Sequence, residues 1–137
     1  MSGARADAAH CFVCGPDNPI GLKLRFTVEG GRCRGEFTSR AEHAGFDGVT
    51  HGGIVFSVLD DAMANWFFLQ GALGFTAKAE IRYRAPMPVG ATAAIECEVV
   101  KRKGRLLQLE ARARDMQSGT LFAESSASFM LEDGSPW

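Results

Sequence analysis

The sequence carries no surplus of charge of either sign. Fifteen Lys and Arg stand against sixteen Asp and Glu, a formal net charge of −1. A general nucleic-acid binder needs a basic surplus to meet phosphates, so that class is set aside and no nucleic-acid partner is expected. No apolar run reaches the roughly 20 residues that cross a bilayer as a helix, so no membrane partner is expected either. The opening residues MSGARADAAH contain no apolar segment of the secretory kind. A cytoplasmic protein is therefore expected, with its four cysteines as thiols and not as a disulfide frame. Repeats, low-complexity tracts and linker-like stretches are also missing. With 137 residues this predicts a disordered tail over residues 1–10 and a single domain over 11–137.

What is present is alternation. Leu22, Leu24, Phe26 and Val28 alternate with charged or polar residues, as in a half-buried strand, and Gly30-Gly31 turns the chain into a return strand RCRGEFT. Four further runs have period two: 75–83, 95–99, 107–113 and 121–131. Between the two groups lies IVFSVLDDAMANWFFLQ, residues 54–70. It is free of Gly and Pro, follows Gly52-Gly53 and is stopped by Gly71, which predicts a helix. The helix is apolar on nearly all sides and must be enclosed. Antiparallel hairpins around one segregated helix define an α+β fold of about six strands. Six strands leave part of such a helix and the sheet edges uncovered, so a homo-oligomer is expected.

HGGIVFSVLDDAMA, residues 51–64, holds the candidate chemistry. Gly52 and Gly53 after His51 open a helix, where unpaired N–H groups point outward and glycine admits a close ligand. That suits a carbonyl oxygen becoming an oxyanion; a plain flexible joint is the other reading. Asp60 and Asp61 lie within the apolar stretch. Burying a carboxylate is costly unless it is paired or used. Successive helix residues point about 100° apart, so the two cannot share a role. Asp61 has Ser57 and Asn65 at i−4 and i+4, a local polar network. Asp60 has Phe56 and Ala64 there and is the odder of the two.

These motifs together resemble hotdog-fold thioesterases of the PaaI-like, acyl-CoA-hydrolysing group. The resemblance rests on GVTHGGIVFSVLDDAMA (48–64), on FTAKAEIRYRAPMPVG (75–90), and on the opening block CFVCGPDNPIGLKLRF (11–26). It implies a hotdog fold, with the sheet wrapped around one long central helix. It implies that the Gly52 N–H polarises the thioester carbonyl, that Asp60 is nucleophile or general base, and that Thr76 holds water or carboxylate. It also implies lesser support from His51, Gly53 and Asp61. Some relatives carry an Asn ahead of HGG that orients water; the matching position here is Gly45. Coenzyme A is part of the substrate, and no metal or redox cofactor is expected. Gly52 and Asp60 are eight residues apart, roughly 12 Å along a helix, too far for one carbonyl to meet both. Two antiparallel copies solve this, so a homodimer is the expected minimal unit and a homotetramer the expected assembly.

Other signals are weaker. KRKGR (101–105) is a basic hairpin tip whose Arg102, Lys103 and Arg105 could meet coenzyme A phosphates or could simply be solvated. Arg82 and Arg84 are further candidates. Trp66, Phe67 and Phe68 could line an acyl pocket or pack in the core. Cys11 and Cys14 have the spacing of metal ligands, but zinc would need two more, with His10, Cys33 and His43 as candidates; buried thiols are the expectation. Two other functions remain in view. An acyl-thioester hydratase or dehydratase would place a His with an acid at the site, and only three His occur; a non-catalytic acyl-CoA-binding protein would lack the acid.

Overall fold

The structure is a computed structural model and describes residues 8–134. Residues 1–7, most of the expected N-terminal tail, lie outside the described residues. Period-two alternation becomes six strands. They are β1 (Thr27–Glu29), β2 (Arg32–Thr38), β3 (Gly74–Tyr83), β4 (Thr92–Lys103), β5 (Leu106–Asp115) and β6 (Leu121–Leu131). The helix α1 (Gly52–Phe68) stands between β2 and β3. The strands form one sheet in the order β1-β2-β4-β5-β6-β3, with every neighbour antiparallel.

The helix packs against β2 to β6 on one face of this sheet. Alternate strand residues meet it: Phe37, Ile95, Leu107, Leu109, Phe129 and Leu131 are at most 2% exposed. From the helix come Val58, Leu59, Ala62, Met63 and Phe67, none more than 1% exposed. Each large side chain buried in this way contributes about 1.5–3 kcal/mol, which holds the helix on the sheet. The opposite face of the sheet is charged. Arg112 pairs with Glu96 at 2.7 Å and Glu98 at 2.5 Å, and Arg32 and Arg34 join Glu96.

Several boundaries differ from the sequence reading: the helix ends at Phe68 and not at residue 70, β4 and β5 run beyond 95–99 and 107–113, and two further differences have a clear physical cause. The strand expected over 22–28 is a ladder only at Thr27–Glu29. Lys23 adopts a φ of 57°, a left-handed conformation that breaks an extended strand. Leu22 and Leu24 instead bond through their N–H groups to Phe12 and Val13 carbonyls, so the alternation serves a loop laid on the core. The helix begins at Gly52 and not at Ile54, because the His51 side chain caps it: Nδ1 accepts the Gly53 N–H at 2.8 Å.

β3 occupies one end of the sheet and pairs only with β6 among the described strands. Most of its residues are exposed, Phe75 at 70% and Tyr83 at 55% among them. The helix face nearest to it is also incompletely covered: Gly52, Phe56, Asp60 and Ala64 are only half-buried, while Leu59, Ala62 and Met63 are fully enclosed.

Candidate active site at the helix and the edge strand

Asp60 sits in the middle of α1, on the half-covered face that looks toward β3. Thr76, near the start of β3, donates its hydroxyl to Asp60 Oδ1 at 2.9 Å. Burial of the carboxylate pushes its pKa above the usual aspartate range, and the Thr76 hydrogen bond partly opposes that by favouring the charged form. The result is an acid that is oriented by one hydroxyl and partly desolvated, the condition in which a carboxylate is a competent base or nucleophile.

The second group lies at the start of the helix. The Gly52 N–H belongs to the first turn, whose donors have no intrahelical acceptor, and none takes it among the described residues. The Gly52 carbonyl accepts the Tyr83 hydroxyl at 2.8 Å. A Cβ on Gly52 would lie 3.2 Å from Tyr83 Oη and Cζ, so glycine is what allows this approach. Tyr83 was not singled out from the sequence. Its only signal is its place as the aromatic that ends strand 75–83. A cavity of ≈ 320 Å³ opens beside Gly52, bounded by Phe46, Val55, Tyr83, Met87 and Phe122.

The supporting candidates separate cleanly. His51 is a helix cap, its Nδ1 engaged by the Gly53 N–H, and a Cβ on Gly53 would sit 3.1 Å from that ring. Gly45, where some relatives carry the water-orienting Asn, donates its N–H to the Val49 carbonyl at 2.9 Å and lies against His51. Asp61 points away from Asp60 and is 9% exposed. Asn65 donates to its Oδ2 at 2.9 Å, as the i+4 spacing implied. Ser57 is not in that network; it donates to its own helix, at the Gly53 carbonyl. In its place stands Cys11 from the N-terminal loop, whose thiol meets Asp61 Oδ1 at 3.4 Å.

The basic candidates are scattered. Arg102 and Lys103 end β4 and, with Arg105, form an exposed tip. Arg102 bonds the Gly104 carbonyl, while Arg105 reaches the Leu131 carbonyl and Asp133. Register puts this tip at the Thr76 end of the sheet: Leu107 pairs with Phe129, and Phe129 with Thr76. Arg84 is paired with Glu124 at 2.8 Å and borders the cavity beside Gly52. Arg82 lies by Glu80, Glu110 and Glu124 on a different patch. Of the aromatic trio, Phe67 is core, edge-on to Phe129, and the Trp66 indole donates to the Gly31 carbonyl. Cys97 is fully buried.

A six-stranded antiparallel sheet closed on one central helix, with an acid on that helix and a glycine at its start, is the hotdog architecture. The thioesterase superfamily family model matches residues 47–122, more than half of the chain and the whole of the helix and edge strand. The chain belongs to the thioesterase superfamily. Among curated proteins it is similar to acyl-coenzyme A thioesterase THEM5 of Homo sapiens, 30% identical over 92 residues, covering 65% of this chain and 37% of the relative. It is likewise similar to THEM5 of Mus musculus, 28% identical over 86 residues, covering 63% and 35%. The chain thus spans little more than a third of the curated relatives it matches. Among solved structures, the E. coli PaaI protein superposes with a TM-score of 0.76 at 19% identity, covering 83% of each chain. A Streptococcus mutans protein solved with acetyl-CoA superposes with a TM-score of 0.73 at 16% identity, covering 80% of this chain and 88% of that one. At these identities the likeness is one of fold. No helix among the described residues is long and apolar enough to cross a membrane.

Proposed function

We propose that the protein hydrolyses an acyl-CoA thioester to a carboxylic acid and coenzyme A. The observation that carries this reading is the half-buried Asp60 carboxylate, held by Thr76 on a helix face where the residues one turn away, Phe56 and Ala64, are apolar. The thioester carbonyl accepts the Gly52 N–H, whose position at the helix start favours developing negative charge. Asp60 either takes a proton from attacking water or attacks the carbonyl itself and is released by water. In both cases the C–S bond breaks, the thiolate sulfur leaves with a proton, and one water is consumed. The step needs neither metal nor redox cofactor. The His51 Nδ1 takes the Gly53 N–H, and no carboxylate among the described residues hydrogen-bonds its ring, so the imidazole–acid pairing of a hydratase is not formed at His51.

The two halves of the site come from two chains in this reading. Gly52 and Asp60 are separated by eight positions of one continuous helix, roughly 12 Å of rise. A nucleophile and an oxyanion donor must both lie within about 3 Å of one carbonyl group. A second copy added at the exposed β3 edge brings the Gly52 of one chain to the Asp60 of the other, and covers the half-buried helix face. A homodimer is the minimal unit, a homotetramer the larger assembly, and the cytoplasm the location. The Arg102, Lys103 and Arg105 tip meets the phosphates, and the cavity beside Gly52 accepts the acyl or pantetheine arm.

The test is thiol release from a panel of acyl-CoAs. Wild-type protein is expected to hydrolyse at least one of them, and Asp60→Asn to lose about 10²- to 10⁴-fold in kcat while remaining folded. Near wild-type turnover by Asp60→Asn, with loss in Asp61→Asn, would assign the chemistry to the other acid.

A further inference from the structure

The N-terminal block CFVCG is not used by the proposed thioester chemistry, yet the fold places it beside the middle of α1. Cys11 Sγ, Cys14 Sγ and a carboxylate oxygen of Asp61 all lie within 4.8 Å of one another. We propose that Cys11, Cys14 and Asp61 form a binding site for a thiophilic divalent cation of the zinc class, clipping the N-terminal loop to the helix. The sequence offered His10, Cys33 and His43 as further ligands, and none of them joins this cluster. His43 lies elsewhere, packed at a tilt against Phe37 with its Nδ1 taking the Arg40 N–H, and Cys33 is opposite Cys97 inside the sheet. The third donor is Asp61, fifty residues further along the chain.

Three features of the cluster fit a cation. The first is distance. Zinc bonds of about 2.3 Å to sulfur and about 2.0 Å to oxygen, at a tetrahedral angle, put sulfur and oxygen about 3.5 Å apart. Cys11 Sγ and Asp61 Oδ1 are 3.4 Å apart. The second is the turn. The Cys14 N–H points at Cys11 Sγ at 3.5 Å, and Gly15 closes the turn where a Cβ would lie 2.3 Å from the Cys11 nitrogen. Only glycine fits there, and the turn holds both sulfurs on one side. The third is the outer shell. Asn65 donates to Asp61 Oδ2 at 2.9 Å and reaches Cys14 Sγ at 3.8 Å. Its amide therefore orients the carboxylate through the oxygen that does not face Cys11, the arrangement that fixes a ligand in metal sites. Both cysteines are half-buried, and water would complete the four-coordinate shell. Each thiol gives its proton to solvent as the cation binds. Two sulfurs and one carboxylate select zinc, or cobalt(II) as its probe, over magnesium or calcium.

The experiment uses the full chain, reduced and stripped of metal by a chelator. Cobalt(II) is titrated in, and absorption is read for sulfur-to-metal charge transfer and for the visible bands of a tetrahedral ion. One equivalent per chain with a charge-transfer band, displaced by zinc, is the expected result. Zinc should also raise the melting temperature and shield two thiols from a thiol reagent, both measured on wild-type protein so that no variant need fold. Cys14→Ser should abolish the band, and Asp61→Asn should weaken cobalt binding at least tenfold and shift the visible bands. Absence of a charge-transfer band in the reduced wild-type protein overturns the site. So does a band that survives Cys14→Ser, or cobalt affinity and spectrum unchanged by Asp61→Asn.

Discussion

Replacing Thr76 with valine isolates the one side-chain hydrogen bond that, among the described residues, holds the proposed catalytic carboxylate. The side chains have the same shape, Thr76 is exposed, and valine suits a strand, so the fold should survive the change and any loss of stability should reflect this hydrogen bond alone. What is lost is the 2.9 Å bond to Asp60 Oδ1. A hydrogen bond to a charged group contributes about 1.5–3 kcal/mol. Because the pair is open to water, which replaces part of the bond, the lower end applies. At about 1.4 kcal/mol per decade, kcat/KM should fall roughly tenfold. The sign of the pH effect is also fixed. Burial raises the Asp60 pKa and Thr76 lowers it, so removing Thr76 leaves the raising effect unopposed. Catalysis needs the ionised carboxylate, so the acid limb of kcat/KM must move to higher pH, and the deficit must be greatest at low pH. Steady-state thiol release across pH reads both. An acid limb that stays in place or moves down would refute the reasoning, as would undiminished hydrolysis.

Asp60→Asn should stabilise the folded protein at neutral pH. A carboxylate whose folded pKa is raised favours folding below its unfolded pKa and loses that contribution as pH rises through the folded value. The amide carries no charge to desolvate, so its melting-temperature advantage should be present at pH 7 and vanish below the usual aspartate range. Replacing Arg102, Lys103 and Arg105 together with alanine should raise KM for acyl-CoA more than it lowers kcat, because phosphate contacts bind ground and transition states alike. An unchanged KM at low salt would leave the tip as a solvated turn.

The fold was legible in the sequence wherever one face of an element is buried. β2 and β6 run over the residues that alternation marks, because their inward apolar side chains join the core built around α1. Alternation failed at residues 22–26, where it reports burial correctly and hydrogen bonding wrongly; a left-handed Lys23 leaves no periodic trace. Asp60 stood out because its i±4 neighbours are apolar, and the same argument linked Asp61 to Asn65. It misassigned Ser57, since a helical hydroxyl can satisfy itself on the carbonyl one turn back. Thr76 entered through family resemblance alone, and Tyr83 not at all: strand register against a helix is a three-dimensional relation that spacing does not encode. The contact of Cys11 with Asp61 was hidden for the same reason, with fifty residues between the partners.

A mixed dimer tests the central claim most directly. One chain carries Asp60→Asn. The other carries Gly52→Pro, which removes the backbone donor at a helix position where proline is tolerated, although Tyr83 must give by a few tenths of an ångström. The copies are tagged differently, co-expressed and purified as the heterodimer, with circular dichroism to establish folding. If each site takes its acid from one chain and its carbonyl donor from the other, one site receives both lesions and the other neither. The heterodimer should then release thiol at about half the wild-type rate per dimer while both parent homodimers are nearly inactive. A folded heterodimer no more active than its parents would contradict the shared site and remove Gly52 from the reaction.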